Sequence, residues 1–361
     1  MNIALIGQGF MGRAHSNAYN QVAHFFELKH RPRLKLLCGR RADELRTMAA
    51  RWGWEETTTD WREAVTRPDI DVVDIAAPNS LHAPIAIAAA EAGKIVFAEK
   101  PMANTLDEAR RMAAAARGVR TMVWFNYRRV PAIAFAKRLI EEGRLGRIFH
   151  YRATYLQQWG NDPSRKSGWK LEKAVAGSGV TGDLLSHLFD TALELNGPVS
   201  RLSAMQTTFE AGREIDDAAA VMVEFANGSQ GTFEATRYAV GAVNQNRFEI
   251  HGSRGMVRFN LEDLNRLEFH DATIDAAEQG PRSILVTAPA HPYGTNFWKP
   301  GHIIGYEHTF IAALGDFLRA VERDEEFHPD FGDGVAVQSV LDAVERSAAS
   351  GAWTTPEKAG V

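Results

Sequence analysis

The stretch that decides the fold is Ile3-Ala-Leu-Ile-Gly-Gln-Gly-Phe-Met-Gly12, close to the start of the chain. The apolar run Ile3–Ile6 leads directly into three glycines spaced Gly-x-Gly-x-x-Gly, and a helical pattern follows. In this arrangement Gly7 permits a tight turn, Gly9 lets the backbone approach a pyrophosphate, and Gly12 allows close packing of strand and helix. The phosphates would meet free N–H groups at the positive end of the helix dipole. The stretch therefore predicts a dinucleotide-binding βαβ unit.

Length and composition narrow the class of protein. A chain of 361 residues is too long for one ordinary core and predicts two domains. The formal net charge of -4 gives no electrostatic reason to expect nucleic acid or an anionic membrane as a partner. The single cysteine, Cys38, lies in an apolar run and is interpreted as a buried core thiol. The start of the chain leaves no room for a cleaved leader before the glycines, so we expect a cytoplasmic enzyme.

Hydrophobic patterning divides the chain at about residue 122. In residues 1–122, short continuous apolar runs alternate with helical patterns, which predicts a Rossmann domain with a parallel sheet covered on both faces. In residues 123–361, alternating apolar and polar segments dominate, which predicts an α+β domain with an open, mostly antiparallel sheet. The fold class expected is therefore α/β with two domains. Because a free sheet face usually packs against another subunit, we expect a homodimer or homotetramer through the C-terminal sheet.

The residue after the second strand normally separates NAD-binding from NADP-binding sites. An acid there would bind the ribose 2′-hydroxyl, whereas a nearby arginine suits a 2′-phosphate. The sequence is Cys38-Gly-Arg-Arg41, with no acid, which by itself favours NADP. Since Arg40 and Arg41 could equally stack on adenine or stay solvated, both cofactors remain open at this point.

Two further motifs carry candidate chemistry. Glu99-Lys100-Pro101 follows the fourth apolar run, at the carboxyl edge where open α/β sheets bind ligands. Asp183 and His187 stand at i and i+4 of a helix predicted over Gly182–Leu195, so they share one face. A surface ion pair and a core histidine are the alternative interpretations. Asp190, one turn further on, is predicted to be a structural partner for the backbone or for an arginine.

The segment from Gln157 to Lys170 is interpreted as a loop over the substrate. Trp159 and Trp169 offer apolar faces for a sugar ring, and Gln157 offers an amide for hydroxyl groups. Its three cations are Arg165, Lys166 and Lys170. If they face inward, the substrate carries an anionic group such as a carboxylate, phosphate or sulfonate, because an unpaired buried charge is costly. An exposed, solvated loop is the alternative.

Taken together, these motifs resemble the glucose–fructose oxidoreductase, inositol dehydrogenase and rhizopine-catabolism (Gfo/Idh/MocA) family over nearly the whole chain. The segments that carry the resemblance are Gly7-x-Gly-x-Met-Gly12, Ala77-Pro-Asn-Ser-Leu-His82, Glu99-Lys-Pro101, Asn126-Tyr-Arg128, Gly182-Asp-x-x-x-His187, Asp333-Gly334, Ala343–Ser347 and Gly351. Within the family, Gly168–Gly177 and Gly301–His308 look similar to levoglucosan-type sugar dehydrogenases. The sequence departs from many NAD-using members at Gly39-Arg40, where those members have an acid.

The resemblance implies an NAD(P)-dependent oxidoreductase that transfers hydride between a pyranose hydroxyl carbon and the nicotinamide. It places Lys100, Asp183 and His187 around the reacting carbon as the catalytic residues. The cofactor is NAD or NADP, and the resemblance is compatible with tight binding. The residues expected at the cofactor are Gly7, Gly9, Phe10, Met11, Gly12, Arg40, Arg41, Ala77, Pro78, Asn79, His82, Glu99, Lys100 and Asn126. The residues expected at the sugar are Lys100, Tyr127, Arg128, Gln157, Trp159, Arg165, Lys166, Trp169, Lys170, Asp183, His187 and His302.

In the mechanism expected, His187 takes the hydroxyl proton and the Lys100 ammonium stabilises the developing alkoxide. The assignment of the formal base to Lys100 or to His187 stays open. Two alternatives are considered. An NAD-dependent glycosidase that oxidises its substrate only transiently would need the same core residues. A non-catalytic NAD(P)-binding sensor or co-repressor on the same fold would tend to lose the lysine or the Asp–His pair, and all three residues are present. No metal is expected, since no second ligand set accompanies His187 in the sequence.

Overall fold

A computed structural model describes residues 1–162, 164 and 168–358. The strands are β1 (Asn2–Ile6), β2 (Arg33–Cys38), β3 (Glu56–Thr58), β4 (Val72–Ile75), β5 (Ile95–Ala98), β6 (Thr121–Val123), β7 (Ile148–Leu156), β8 (Val199–Thr207), β9 (Ala218–Phe225), β10 (Gln230–Thr236), β11 (Gln245–Gly252), β12 (Gly255–Asn260), β13 (Arg266–Asp271) and β14 (Arg282–Leu285). The α-helices are α1 (Phe10–Phe25), α2 (Ala42–Trp52), α3 (Trp61–Thr66), α4 (His82–Glu91), α5 (Leu106–Ala115), α6 (Pro131–Glu141), α7 (Lys173–Ala176), α8 (Ser186–Asn196), α9 (Tyr306–Arg323) and α10 (Phe331–Ser350).

The chain forms two compact units. The described part of the first comprises residues 1–126 and 306–338, and the second comprises residues 127–305 and 339–358. This division differs from the single boundary expected at residue 122. The physical reason is α9, whose apolar face packs against α1 and returns the chain to the first unit. Hydrophobic patterning shows that α9 is amphipathic but does not show which partner covers its apolar face.

The first unit contains a six-stranded parallel sheet with the order β3-β2-β1-β4-β5-β6. This is the strand order of a doubly wound dinucleotide-binding fold, whose ligands bind beyond the carboxyl ends of the strands. The central strand β4 is buried along its whole length, as expected for a strand covered on both faces. The predicted Rossmann fold is confirmed, whereas the edge strand β3 was missed because its three residues are polar.

The second unit contains an eight-stranded sheet with the order β14-β13-β12-β11-β7-β10-β9-β8. Only the β7–β10 pair among these neighbours is parallel, so the predicted open and mostly antiparallel sheet is confirmed. Alternation is clear in β9, where Val221, Val223 and Phe225 are buried and Met222 points to the other face. Helix α8 contacts β7 on the inner face, where Phe189 packs against Phe233.

Among the described residues, no helix is long and apolar enough to cross a membrane.

Candidate active site

The glycine turn after β1 has the geometry that a pyrophosphate needs. Gly7 has a φ of +145°, and a Cβ there would lie 2.3 Å from the carbonyl oxygen of Ala76. A Cβ on Gly12 would lie 2.0 Å from the carbonyl oxygen of Gly7, so both positions require glycine. At Gly9, the residue before α1, a Cβ would meet no described atom within 4 Å. The approach to the start of α1 at Gly9 is therefore clear of described atoms, and phosphate binding there stays a prediction.

The two residues after Gly9 differ in exposure. Phe10 is largely exposed, and its ring stacks on Tyr306 of the same unit with centroids 6.3 Å apart. Met11 is partly buried. Phe10 therefore offers a free ring face beside the glycine turn.

The turn between β2 and α2 is ordered by Gln8. Its Oε1 accepts a hydrogen bond of 3.1 Å from the backbone N–H of Arg41, and a Cβ on Gly39 would lie 2.2 Å from the same oxygen. The Arg41 guanidinium pairs with Glu44 at 2.6 Å, while Arg40 is exposed. A side chain at position 39 would have to displace the end of the flexible Gln8 side chain. A contact of Arg40 or Arg41 with the cofactor stays a prediction.

The Glu99-Lys100-Pro101 turn is held by buried polar side chains. One oxygen of Glu99 lies 3.0 Å from His15 Nε2, and the other accepts the backbone N–H of Lys100 at 3.0 Å. Nδ1 of His82 lies 3.0 Å from the carbonyl oxygen of Pro101, and its Nε2 lies 2.9 Å from that of Ala77. Burial lowers the pKa of His82, so its neutral ring donates to one of these two carbonyls at a time.

The remaining residues expected near the nicotinamide lie in the same unit. Pro78 precedes a short 3₁₀ turn that begins at Asn79, and Asn79 is buried. Asn126 is buried and donates a hydrogen bond of 2.7 Å to the Thr309 hydroxyl. In this way the sequence motifs Ala77–His82 and Glu99–Pro101 both lie at the carboxyl ends of central strands. Their contacts with cofactor stay predictions.

In the second unit, Asp183 and His187 occupy the start of one helical segment, but its first part is not α-helical. Thr181–Leu185 forms a π-helical turn, and regular α-helix begins at Ser186. The uniform helix predicted over Gly182–Leu195 is wrong in this respect. Single π-turns within helices are frequent at functional sites because they re-aim a side chain.

His187 is buried against two tyrosines. Its ring stacks on Tyr127 with centroids 4.4 Å apart, and the Tyr155 ring lies 5.9 Å away. The hydroxyl groups of Tyr127 and Tyr155 are 3.2 Å apart, and Tyr155 donates to Asn244 at 2.8 Å. The stacking restrains the plane of the imidazole, and the proton acceptor proposed here must in addition reach the substrate hydroxyl within hydrogen-bond distance.

Asp183 lies between two cations. Nζ of Lys170 is 3.2 Å from both carboxylate oxygens, and Nη2 of Arg237 is 3.1 Å from one of them. Arg237 is only 1% exposed, and its guanidinium lies 4.7 Å from the ring centroid of Trp159. Within the described part of the chain, Nε and Nη1 of Arg237 have no hydrogen-bond partner. Sequence reasoning missed Arg237, because no motif surrounds it and it lies 54 residues from Asp183.

The other residues expected at the sugar differ in their exposure and in the hydrogen bonds that their side chains make within the protein. The Gln157 amide donates to Asn244 and accepts from Trp159 Nε1, at 2.8 and 2.7 Å. Trp169 is partly buried, with Lys170 Nζ at 5.9 Å from its ring centroid. His302 is exposed, and its Nδ1 lies 3.0 Å from the Lys299 carbonyl oxygen. Arg165 and Lys166 lie outside the described residues.

Arg128 has structural partners. Its buried guanidinium donates to Asp190 at 2.6 and 2.9 Å and to Glu194 at 2.9 Å. These contacts tie the chain before α6 to α8 and favour a supporting role over the substrate contact that the resemblance implied. The prediction that Asp190 partners an arginine is confirmed.

Two protein-family models match this chain, over consecutive segments. Residues 1–127 match the model described as the oxidoreductase family with an NAD-binding Rossmann fold, and residues 133–258 match the GFO/IDH/MocA C-terminal domain. The chain belongs to the Gfo/Idh/MocA family. As a Gfo/Idh/MocA protein it is an NAD-binding oxidoreductase, and the predicted family, enzyme class and NAD cofactor are confirmed.

Individual relatives of this Gfo/Idh/MocA protein are sugar or polyol dehydrogenases. Levoglucosan dehydrogenase of Pseudarthrobacter phenanthrenivorans is 41% identical, and the alignment covers 98% of this chain and 97% of the relative. The solved structure of a levoglucosan dehydrogenase with NADH and levoglucosan is 42% identical with a TM-score of 0.96, covering 99% of both chains. Inositol 2-dehydrogenase of Rhizobium meliloti is 28% identical over 97% of both chains. The prediction of an NAD(P)-dependent sugar dehydrogenase is confirmed, and these relatives support neither the glycosidase nor the sensor alternative.

Proposed function

We propose that this protein oxidises a hydroxyl-bearing carbon of a neutral pyranose or anhydropyranose, such as levoglucosan, with NAD as the hydride acceptor. The observation that carries the proposal is the 41% identity to a levoglucosan dehydrogenase along 98% of the chain. The open backbone at Gly9 and the glycines required at positions 7 and 12 fit a bound dinucleotide. When bound, NAD supplies the electrophilic ring carbon that accepts the hydride.

The protein residues supply the proton chemistry in this proposal. His187, held in one plane by Tyr127, takes the proton of the sugar hydroxyl. The Lys100 ammonium stabilises the negative charge that develops on the same oxygen as the carbon loses its hydride. Asp183 accepts hydrogen bonds from a neighbouring sugar hydroxyl while Lys170 and Arg237 hold its carboxylate in place. The sugar thereby loses one hydride and one proton and becomes a ketone.

The charges described in the second unit do not require an anionic substrate at Lys170. An anionic substrate was expected because the loop cations needed a counter-charge. Lys170 has that counter-charge in Asp183, at 3.2 Å from both oxygens. The reason for requiring an anionic substituent is therefore removed at Lys170, the one cation of the three that lies in the described part of the chain.

We further propose that the protein is cytoplasmic and forms a homo-oligomer through the outer face of its eight-stranded sheet. Burial raises the pKa of the Cys38 thiol to about 12, which suits an inert core cysteine.

The outer sheet face exposes Met205 on β8 and Met222 on β9, which are diagonal neighbours across the strand pair, with relative exposures of 64% and 53%. Exposed apolar side chains grouped on one face mark an interaction surface.

The first test is a substrate panel followed in two ways at once. Levoglucosan, other neutral pyranoses, neutral and anionic glycosides, and matched uronates and sugar phosphates are supplied with NAD or NADP, while reduced cofactor and free sugar are both measured. We expect NADH to accumulate in proportion to the neutral sugar consumed. Release of sugar from glycosides without accumulation of NADH would instead identify the glycosidase. Faster turnover of the anionic analogues would contradict the neutral-substrate assignment.

The second test assigns the residues. Lys100→Ala and His187→Ala should each lower kcat by roughly two to four orders of magnitude, the usual range for acid–base groups. Binding of NADH, followed by its fluorescence, should stay within threefold of the native value. Lys29→Ala and His24→Ala, which remove exposed side chains of the same types, serve as matched controls. A near-native kcat in either active-site variant would remove the role given to that residue.

A further inference from the structure

The first unit contains a buried charged cluster that the mechanism above does not use. His15, on α1, is fully buried between two carboxylates that come from different strands. Its Nδ1 lies 2.9 Å from Asp74 on β4, and its Nε2 lies 3.0 Å from Glu99 just after β5. Buried charges in proteins are retained when they are paired and hydrogen-bonded, and this cluster meets both conditions.

The partners of Asp74 complete the cluster. Tyr19 donates a hydrogen bond of 2.8 Å to the oxygen that faces His15, and Trp124 Nε1 donates one of 2.9 Å to the other oxygen. The Trp124 ring also stacks on the imidazole, with centroids 4.2 Å apart. The imidazole is therefore fixed in position and orientation on three sides.

The charge of the ring follows from these partners. Both ring nitrogens face carboxylate oxygens, so both bonds are made fully only when each nitrogen carries a proton. Burial by itself would lower the pKa of His15, but the charge of Asp74 and the hydrogen bonds from both carboxylates raise it to about 9. The ring is thus an imidazolium at neutral pH, and two buried carboxylates are balanced by one positive charge.

The cluster reaches the proposed active-site lysine through Glu99. The Glu99 oxygen that does not face His15 accepts the backbone N–H of Lys100 at 3.0 Å. His15 lies three residues after Gly12, on the helix that opens at the glycine turn. We propose that His15 is a positioning residue that fixes Glu99, and through it the backbone of Lys100, relative to the helix that begins at the nucleotide turn.

This inference rests on the role proposed above for Lys100. It also gives a reason for a charged imidazolium at position 15. A neutral side chain at position 15 would leave Asp74 and Glu99 as two carboxylates in one dry space. Like charges at close range are relieved by protonation of one group or by rotation of Glu99 away. Either change weakens or removes the acceptor that orients the Lys100 backbone.

The test compares His15→Gln with Tyr19→Phe. Both variants change the hydrogen bonding of Asp74 inside the same cluster. His15→Gln replaces the ring that bonds both carboxylates with a neutral amide, whereas Tyr19→Phe removes one donor to Asp74 and leaves the bond between His15 and Glu99 intact. We expect His15→Gln to lower kcat by 10- to 100-fold while the Kd for NADH changes by less than threefold. Tyr19→Phe should keep kcat within threefold of the native enzyme. Equal kcat losses in the two variants, or a loss of NADH binding as large as the loss of kcat, would show a merely structural role.

A double-mutant cycle adds a second readout. If His15 acts through Glu99, the His15→Gln/Glu99→Gln double variant should lose no more kcat than the worse single variant. If the kcat loss of the double variant equals the product of the two single losses, His15 does not act through Glu99. A near-native Lys100→Ala enzyme would defeat the proposed function itself, whereas an impaired Lys100→Ala beside a normal His15→Gln would defeat this inference alone.

Nuclear magnetic resonance of the native protein keeps the test independent of variant folding. Among the 12 histidines, selective ¹⁵N labelling should show one ring, resistant to solvent exchange, whose two nitrogens keep imidazolium shifts at pH 8. The Glu99→Gln variant should move those shifts toward the neutral form. If every buried histidine is neutral at pH 8, the charged cluster of His15, Asp74 and Glu99 does not exist as described.

Discussion

At the scale of single residues, the environment of Asp183 shows how one carboxylate is held by two unequal cations. Arg237 is buried and stacked on Trp159, whereas Lys170 is 49% exposed at its side chain. An exposed ion pair is screened by water and contributes about 0–1 kcal/mol. A buried charged hydrogen bond contributes about 1.5–3 kcal/mol. Arg237 is therefore expected to matter more for the orientation of Asp183.

A pair of variants measures this difference. Arg237→Met should lower kcat/KM for the sugar by about 10- to 100-fold, in line with the loss of a buried charged hydrogen bond. Lys170→Met removes the exposed partner of the same carboxylate and should cost less than about fivefold. Steady-state kinetics at saturating NAD distinguishes them. Equal losses in the two variants would mean that burial does not decide which cation positions Asp183.

His15 predicts a dependence of stability on pH. Asp74 and Glu99 raise the pKa of His15 from 6.5 to about 9 against the effect of burial. The pKa of the neighbouring Tyr19 is raised well above its usual value, so the Tyr19 hydroxyl stays neutral. A raised pKa of the folded state stabilises the protein fully below about pH 6.5, and this contribution is lost as pH rises through 9. The contribution is on the order of a few kcal/mol, since one pKa unit corresponds to about 1.4 kcal/mol.

The measurement is urea unfolding at pH 6.5, 8 and 9.5 for the native protein and for His15→Gln. The free energy of unfolding of the native protein should fall more steeply toward pH 9.5 than that of the variant. Parallel curves would show that His15 does not carry the protonation described.

At the scale of elements, the π-turn that carries Asp183 depends on one buried acid outside it. The carboxylate of Asp216 accepts the backbone N–H of Gly179 at 2.6 Å, and that of Thr181 at 2.7 Å. It also accepts the Thr181 hydroxyl at 2.8 Å. A Cβ on Gly179 would lie 1.7 Å from the Asp216 carbonyl oxygen, so the glycine is required for this close approach. Asp216 thus satisfies N–H groups at the start of the helical segment, as an acid at a helix start does.

Removing that acid should affect both stability and activity. Asp216→Ala leaves two buried N–H groups without acceptors and should lower the free energy of unfolding by about 2–4 kcal/mol. Asp216→Asn retains one carbonyl acceptor at the same size and should fall between the native protein and the alanine variant. Urea unfolding gives the stability, and kcat with the preferred sugar should follow the same order because Asp183 lies on this turn. An alanine variant as stable as the native protein would contradict this account.

At the scale of the whole molecule, the outer face of the eight-stranded sheet predicts association. Met205 and Met222 form its apolar part, while Arg152, Glu234 and Arg247 bring both signs of charge to the same face. A surface that combines an apolar centre with charges of both signs can complement a second copy of itself, as a two-fold interface requires.

Met222→Lys tests that face directly. The substitution puts a charge into the apolar part and should shift sedimentation velocity toward smaller species, with a dissociation constant at least tenfold weaker. Val240→Lys adds the same charge at an exposed apolar residue outside the strands and serves as the control. If native protein and both variants sediment alike, the sheet face is not the interface.

The sequence by itself determined the features that depend on neighbours along the chain. The spacing of Gly7, Gly9 and Gly12 specifies a strand–turn–helix, since the steric limits on those positions are local. The regular α-helix assumed for Asp183 and His187 was wrong at Thr181–Leu185, where the structure has a π-turn. The position of Lys100 after a strand was predictable from the apolar run before it, because strand patterns depend on neighbouring residues. For the same reason the parallel and antiparallel sheets could be predicted from the apolar patterns of their strands.

Tertiary structure decided which distant side chains meet. Arg237 and Asp216 hold the segment of Asp183, and His15 pairs with Asp74 and Glu99, although these partners are 35 to 84 residues apart in the chain. No local motif marks such residues, because a buried charge is defined by the partners that packing brings to it. The return of α9 to the first unit has the same origin: an amphipathic helix specifies that one face is buried, and only the packed fold specifies against what.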